Sequence, residues 1–163
     1  QARLAPMDQM APLCIFLPSE EATTALGAWF AKRAQIGDTL LLSGPIGAGK
    51  SHFARAFIRA RLGRAEDVPS PSFTLVQAYQ ADVEIWHSDL YRLSHPDEVL
   101  ELGLEEAFST AICLVEWPDR LGKFVPKQAI WIGFASKAEG RMAEIRFTDR
   151  GALRADLVED WVR

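Results

Sequence analysis

Apolar residues fall in short bursts along this chain, cut apart by glycine and proline, and the spacing within each burst indicates an element. Cys14–Leu17 has the length and composition of an edge strand. Ser19 follows as a helix N-cap, with Glu20 and Glu21 in the first turn, where the helix dipole favours acid. Ala22, Leu26, Trp29 and Phe30 give that helix one apolar side, and Gly37 is expected to end it. Thr39–Ser43 is a continuous apolar run, as a buried strand requires. Phe53, Ala54, Phe57, Ile58 and Leu62 return to helical spacing, closed by Gly63. Beyond the stiff Pro69-Ser70-Pro71-Ser72 stretch, Phe73–Tyr79 and Val83–His87 flank a Gln80-Ala81-Asp82 turn. Two strands so close together can pair only as an antiparallel hairpin. Ser94-His95-Pro96-Asp97 has the form of a capping box opening a short helix that Gly103 closes, and Leu104–Phe108 adds another turn. Ala111–Val115, ending at Glu116, reads as a strand buried on both faces. Ala129–Ala135 and Met142–Phe147 predict two more strands joined near Glu139-Gly140-Arg141. Leu153, Leu157, Val158 and Trp161 predict a short amphipathic helix at the C-terminal end.

The chain's 163 residues suit one domain, taken as 11–163, with 1–10 as a flexible N-terminal extension. Apolar content of 48% with 25% charged residues is that of a soluble globule. A net charge of −4 argues against holding nucleic acid by bulk electrostatics. Arg55, Arg59, Arg61 and Arg64 nevertheless lie on or just after one helix, as a solvated face or alternatively a partner or RNA contact. Cys14 and Cys113 have neither metal-type spacing nor a disulfide framework, which points to a reducing cytoplasm. No apolar run approaches the ~18 residues of a membrane span, so no membrane association is expected.

The chemistry begins at Gly44-Pro45-Ile46-Gly47-Ala48-Gly49-Lys50-Ser51, which satisfies G-x-x-x-x-G-K-[ST]. Glycines let successive N–H groups turn inward onto phosphate oxygens, Lys50 supplies a point charge, and the Ser51 hydroxyl takes one Mg²⁺ position. Strand, loop and helix occur in the order this phosphate loop needs. The expected fold is therefore an α/β P-loop nucleotide-binding fold: a mixed, mostly parallel sheet with an antiparallel hairpin and helices on both faces. Glu116, at the end of a buried strand, is the candidate metal carboxylate, and ligands of open α/β sheets collect at that edge. Asp89 shares a strand face with Val83, Ile85 and His87 by the period of two, and is the candidate for orienting water. His87 either orients Asp89 or is a structural histidine. Arg92 pairs with Asp89 or, alternatively, supports γ-phosphate charge. Ser70–Thr74 supplies hydroxyls either to a nucleotide-sensing loop or to an inert turn. No motif fixes an arginine as an in-cis finger, so slow hydrolysis without partners is expected.

Gly44–Ser51, Ser70-Pro71-Ser72-Phe73-Thr74, His87-Ser88-Asp89-Leu90-Tyr91-Arg92 and Glu116-Trp117-Pro118, in this order, resemble the TsaE family of P-loop ATPases of bacterial tRNA threonylcarbamoyladenosine biosynthesis. The resemblance runs from the helix start at Leu17–Thr23 past Ala129. It implies that Ser51 and Glu116 hold Mg²⁺, that Asp89 is the carboxylate needed for ATP turnover, and that Ser70–Thr74 is a switch-like loop. It also implies that Glu20 and Arg141 touch nucleotide. The family's ATP hydrolysis resets a tRNA-modifying complex with the TsaD and TsaB proteins, so tRNA would be reached only through them. Ser72 and Ser51 each stand where the family usually has Thr, a change that keeps the hydroxyl. Two other functions remain open to a phosphate loop of this size: a small-molecule kinase, which should carry an Arg-rich lid, and a non-catalytic nucleotide-dependent binding module.

Overall fold

Alternation along β2 (Thr39–Ser43) divides the interior in two. Leu40 and Leu42 enter one apolar cluster and Leu41 the other, so both faces of this strand are covered. The computed structural model describes residues 11–162, and the expected N-terminal extension at 1–10 lies outside them. Seven strands form one sheet: β1 (Leu13–Leu17), β2, β3 (Val76–Gln80), β4 (Glu84–Asp89), β5 (Ile112–Glu116), β6 (Ile130–Lys137) and β7 (Gly140–Phe147). Their spatial order is β1-β7-β6-β2-β5-β4-β3. The central run β6-β2-β5-β4 is parallel, while β7 opposes β6 and β1, and β3 opposes β4. Five of the seven strands thus point the same way. The mixed, mostly parallel sheet and the antiparallel hairpin follow the expectation from sequence.

Helices α1 (Glu20–Arg33), α2 (Lys50–Leu62) and α5 (Gly151–Trp161) pack on one face, through Leu26, Phe30, Phe53, Phe57, Leu153 and Leu157. The short helices α3 (Glu98–Leu102) and α4 (Leu104–Thr110) cover the other, with Leu121 of the 3-10 segment Pro118–Phe124. Ser19 caps α1 as expected, its Oγ accepting from the Ala22 N–H at 3.2 Å. Gly63 closes α2 in the left-handed conformation.

Three boundaries differ from the sequence reading. Helix α1 ends at Arg33 with an extended Ala34 as C-cap, and Gly37 instead makes the following turn at φ +94°. The N-cap of α3 is Asp97, not Ser94: Glu98 Oε1 accepts from both the Ser94 and His95 N–H groups, so the capping carboxylate sits one residue later. Strand β3 begins at Val76, three residues late. Leu75 has φ +68° and its N–H donates to Pro71 O at 2.7 Å, which makes 71–75 a turn despite its β-forming residues.

Candidate phosphate-loop site

Parallel pairing decides where the chemistry gathers. β2, β5 and β4 end at the same sheet edge; Leu42 is in register with Glu116, and Glu116 with Asp89. Residues in register on neighbouring strands share a face, so both carboxylates project on the side of α1 and α2. The chain leaves β2 at Ser43, makes the glycine loop, and enters α2 at Lys50. The first turn of α2 therefore lies over the two carboxylates, with its N-terminus and unpaired N–H groups facing the edge.

The loop's shape depends on its glycines. Gly44 has φ +131°, and a Cβ there would collide with the Phe134 carbonyl of β6. Gly49 has φ +122°, and its Cβ would lie 2.6 Å from Arg141 Nη1. Only glycine fits either place. The Ala48 N–H closes a turn onto Pro45 O at 3.1 Å.

Lys50 folds back on its own loop, Nζ donating to Gly44 O at 2.5 Å and Pro45 O at 3.0 Å, with the Trp117 ring 4.3 Å away. Burial pushes its pKa below the ordinary lysine value, while Glu116 and then Asp89 pull the other way. Ser51 Oγ donates to Glu116 Oε1 at 3.0 Å, so the two side chains named as metal ligands touch. Glu116 is 2% exposed, and its Oε2 lies 2.7 Å from His87 Nε2. Asp89 accepts from the Tyr91 N–H at 3.1 Å and from Ser72 Oγ at 3.4 Å. That second bond ties the 70–74 loop to the carboxylate.

These side chains surround a cavity of about 440 Å³. Ile46, Gly47, Gly49, Lys50 and Ser51 line it from the loop, and Asp89 and Glu116 from the strand ends. Gly44, Pro45 and Ala48 build the loop without lining the cavity. Glu20 and Arg141, far apart in sequence, line it together, because Arg141 pairs in register with Leu17 just before α1. Arg141 also donates to Thr23 Oγ1 at 3.4 Å. Ser70 and Ser72 complete the wall on the loop side.

Two expected contacts give way to others. His87 reaches Glu116 instead of Asp89, because the offset between β4 and β5 puts its ring diagonally across from Glu116. Among the described residues no ion pair joins Arg92 to Asp89; the Arg92 guanidinium lies 4.8 Å from the Phe73 ring, and Phe73 is 84% exposed. Sequence reasoning gave no role at the site to His52, Arg55 or Trp117, which also line the cavity. Trp117 is held over Lys50 by a left-handed backbone at φ +60°, a conformation that no sequence pattern announces. Arg55, Arg92 and Arg141 place three guanidinium groups around the cavity, more cationic charge than the motifs alone indicated.

The family model for the threonylcarbamoyl adenosine biosynthesis protein TsaE matches residues 17–143. The Bacillus subtilis tRNA threonylcarbamoyladenosine biosynthesis protein TsaE is 36% identical over 145 residues, 88% of this chain and 89% of that protein. The protein of the same name from Rickettsia conorii is 42% identical over 104 residues, 63% of this chain. The matched stretches span 59% of the Rickettsia conorii protein and 62% of its Rickettsia felis counterpart, less than two thirds of either. Among solved structures, Bacillus subtilis YdiB superposes with a TM-score of 0.73 at 25% identity, covering 91% of this chain and 94% of that one. The fold, the glycine loop over paired carboxylates and these matches lead to one conclusion: the chain belongs to the TsaE family.

Proposed function

We propose that this chain is a Mg²⁺-dependent ATPase of tRNA threonylcarbamoyladenosine biosynthesis, hydrolysing ATP to reset a modifying complex that contains the TsaD and TsaB proteins. The observation that carries the reading is the contact between Ser51 and Glu116 beneath the phosphate loop, with Asp89 in register beside Glu116.

A hydroxyl and a carboxylate in contact fit Mg²⁺, which binds through one or two carboxylates and leaves its other positions to water and phosphate. Among the described residues no three His, Cys, Asp or Glu side chains form a ligand set, and a nucleotide-bound Mg²⁺ does not need one. Bound there by Ser51 and Glu116, the metal would neutralise developing phosphate charge.

The remaining work falls to the chain itself. Lys50 exchanges the carbonyls of Gly44 and Pro45 for phosphate oxygens, and arriving phosphate restores the stability of the charge that burial disfavours. The loop amides and the start of α2 hold the polyphosphate in line. Asp89, steadied by the Tyr91 N–H, orients the attacking water. Ser72 reports the state of that carboxylate to the 70–74 loop. Glu20 and Arg141 close the far wall against the nucleotide.

Calorimetry and single-turnover assays test this together. Lys50→Ala should weaken Mg²⁺-ATP binding by at least ~10²-fold, since it leaves phosphate charge uncompensated in a partly dry site. Asp89→Asn should keep nucleotide affinity and lower turnover by ~10²-fold or more. Unchanged binding by the lysine variant would remove the loop as the phosphate site, and wild-type turnover by Asp89→Asn would make that carboxylate structural.

A further inference from the structure

One buried side chain on β4, the strand beside the edge strand β3, is more polar than its surroundings require. His87 is fully buried, in register with Leu114 on β5, and shares the strand face of Ile85, itself fully buried. Its Nδ1 has no hydrogen-bond partner among the described residues. A leucine would occupy this position with no unpaired nitrogen. The histidine therefore carries a local cost, and the contact that offsets it is Nε2 to Glu116 Oε2 at 2.7 Å. Because Nδ1 meets no acceptor, the tautomer that leaves no N–H unpaired has Nε2–H donating to the Glu116 carboxylate. Glu116 is then held at both oxygens: Oε2 by His87 and Oε1 by Ser51.

We propose that His87 is a positioning residue that fixes the plane of the Glu116 carboxylate and so presents Oε1, beside the Ser51 hydroxyl, to a divalent cation. The inference rests on the metal role proposed above for Ser51 and Glu116. Without the tether the carboxylate can rotate about its last torsion, which is broad and weakly restrained. Hydrogen bonds that orient a ligating carboxylate typically change metal affinity by ~10–100-fold when removed. His87 itself touches neither nucleotide nor metal, so the loss should appear in cation dependence and spare metal-free nucleotide binding.

The test measures ATP affinity of the full chain across a Mg²⁺ titration and again in excess EDTA, with thermal unfolding recorded for each variant. His87→Leu should raise the Mg²⁺ concentration at half-effect by ~10-fold or more and leave affinity in EDTA unchanged. His87→Gln, whose amide nitrogen reaches about as far as Nε2, should restore most of the Mg²⁺ response. His87→Asn, whose donor falls one bond short, should not. A wild-type Mg²⁺ requirement in folded His87→Leu overturns the proposal. If that variant does not fold, equal Mg²⁺ requirements for the Gln and Asn variants overturn it. Glu116→Gln separates the two levels: a raised Mg²⁺ requirement there beside an unaffected His87→Leu sinks only the positioning role, whereas an unaffected Glu116→Gln removes the metal reading as well.

Discussion

At Gly49 a single methyl group should disturb the loop and the cavity wall together. The residue sits at φ +122° and its missing Cβ is where the Arg141 guanidinium lies. Gly49→Ala must adopt a conformation unfavourable by about 1–3 kcal/mol and also displace Arg141 from the cavity wall. Urea unfolding should show a loss of that order, and calorimetry should show Mg²⁺-ATP binding lost with it. The two cysteines offer a separate check on the core. Burial pushes the Cys113 thiol up to about 12, with Glu84 adding to it, whereas Cys14 is exposed. Only the thiolate alkylates, so at pH 8 iodoacetamide should modify Cys14 alone in the native chain and both cysteines once it is unfolded. Mass spectrometry reads the count; fast native modification of Cys113 would mean that β5 is not packed as described. Residue type and motif position coincide at Lys50, Ser51, Asp89 and Glu116, which is why the amino-acid sequence alone singles them out. The partner of His87 is not legible in that way. Alternation puts His87 on the face of Asp89, but only the register of β4 against β5 brings its ring to Glu116.

Elements that follow from residue type and spacing track the sequence closely, and those decided by one particular hydrogen bond do not. The cap at Ser19, the left-handed Gly63 and the hairpin spacing are all local, and each forms where the pattern places it. The start of β3 and the cap of α3 depend on Pro71 O and the Glu98 carboxylate, and propensity alone misplaces both. The packing of α1 on α2, by contrast, has a long-range cause. A Cβ at Gly27 would lie 3.0 Å from both Ala56 Cβ and Phe53 O, so glycine sets how closely the two helices approach. Gly27→Ala would gain about 1 kcal/mol of helix propensity and meet these contacts with one methyl. Gly27→Val adds branching that must push the helices apart, and should destabilise by about 1–3 kcal/mol. Denaturant titration measures the loss; a stabilised valine variant would contradict the close approach of α1 to α2. Because α2 carries Lys50 and Ser51, the same variant should also weaken nucleotide binding.

Over the whole molecule, charge is concentrated locally. The net charge is −4, yet Arg55, Arg92 and Arg141 stand around one cavity. The basic face expected on α2 is smaller than its arginine count. Arg61 is a clamp, donating to Asp82 and to the carbonyls of Ala31 and Ala34, and Arg64 pairs with Glu66. Such a surface suits a protein partner better than free RNA, whose capture relies on accumulated positive charge. Ile46 at the loop tip is 78% exposed and Phe73 84%, so two apolar side chains stand at or beside the cavity, ready for contact. Among the described residues no helix is long and apolar enough to cross a membrane. A partner that tightens the 70–74 loop against Asp89, or presses one of the arginines toward the phosphates, would complete the site; supplying such a charge raises turnover by ~10³–10⁵ in other P-loop enzymes. The most direct test of this account is phosphate release from Mg²⁺-ATP by the chain alone, with tRNA alone, and with the TsaD–TsaB pair. Slow release alone and with tRNA, with stimulation confined to the protein pair and abolished by Lys50→Ala, is the predicted result. Full-speed hydrolysis by the isolated chain, or transfer of the phosphate to a small metabolite, would contradict it.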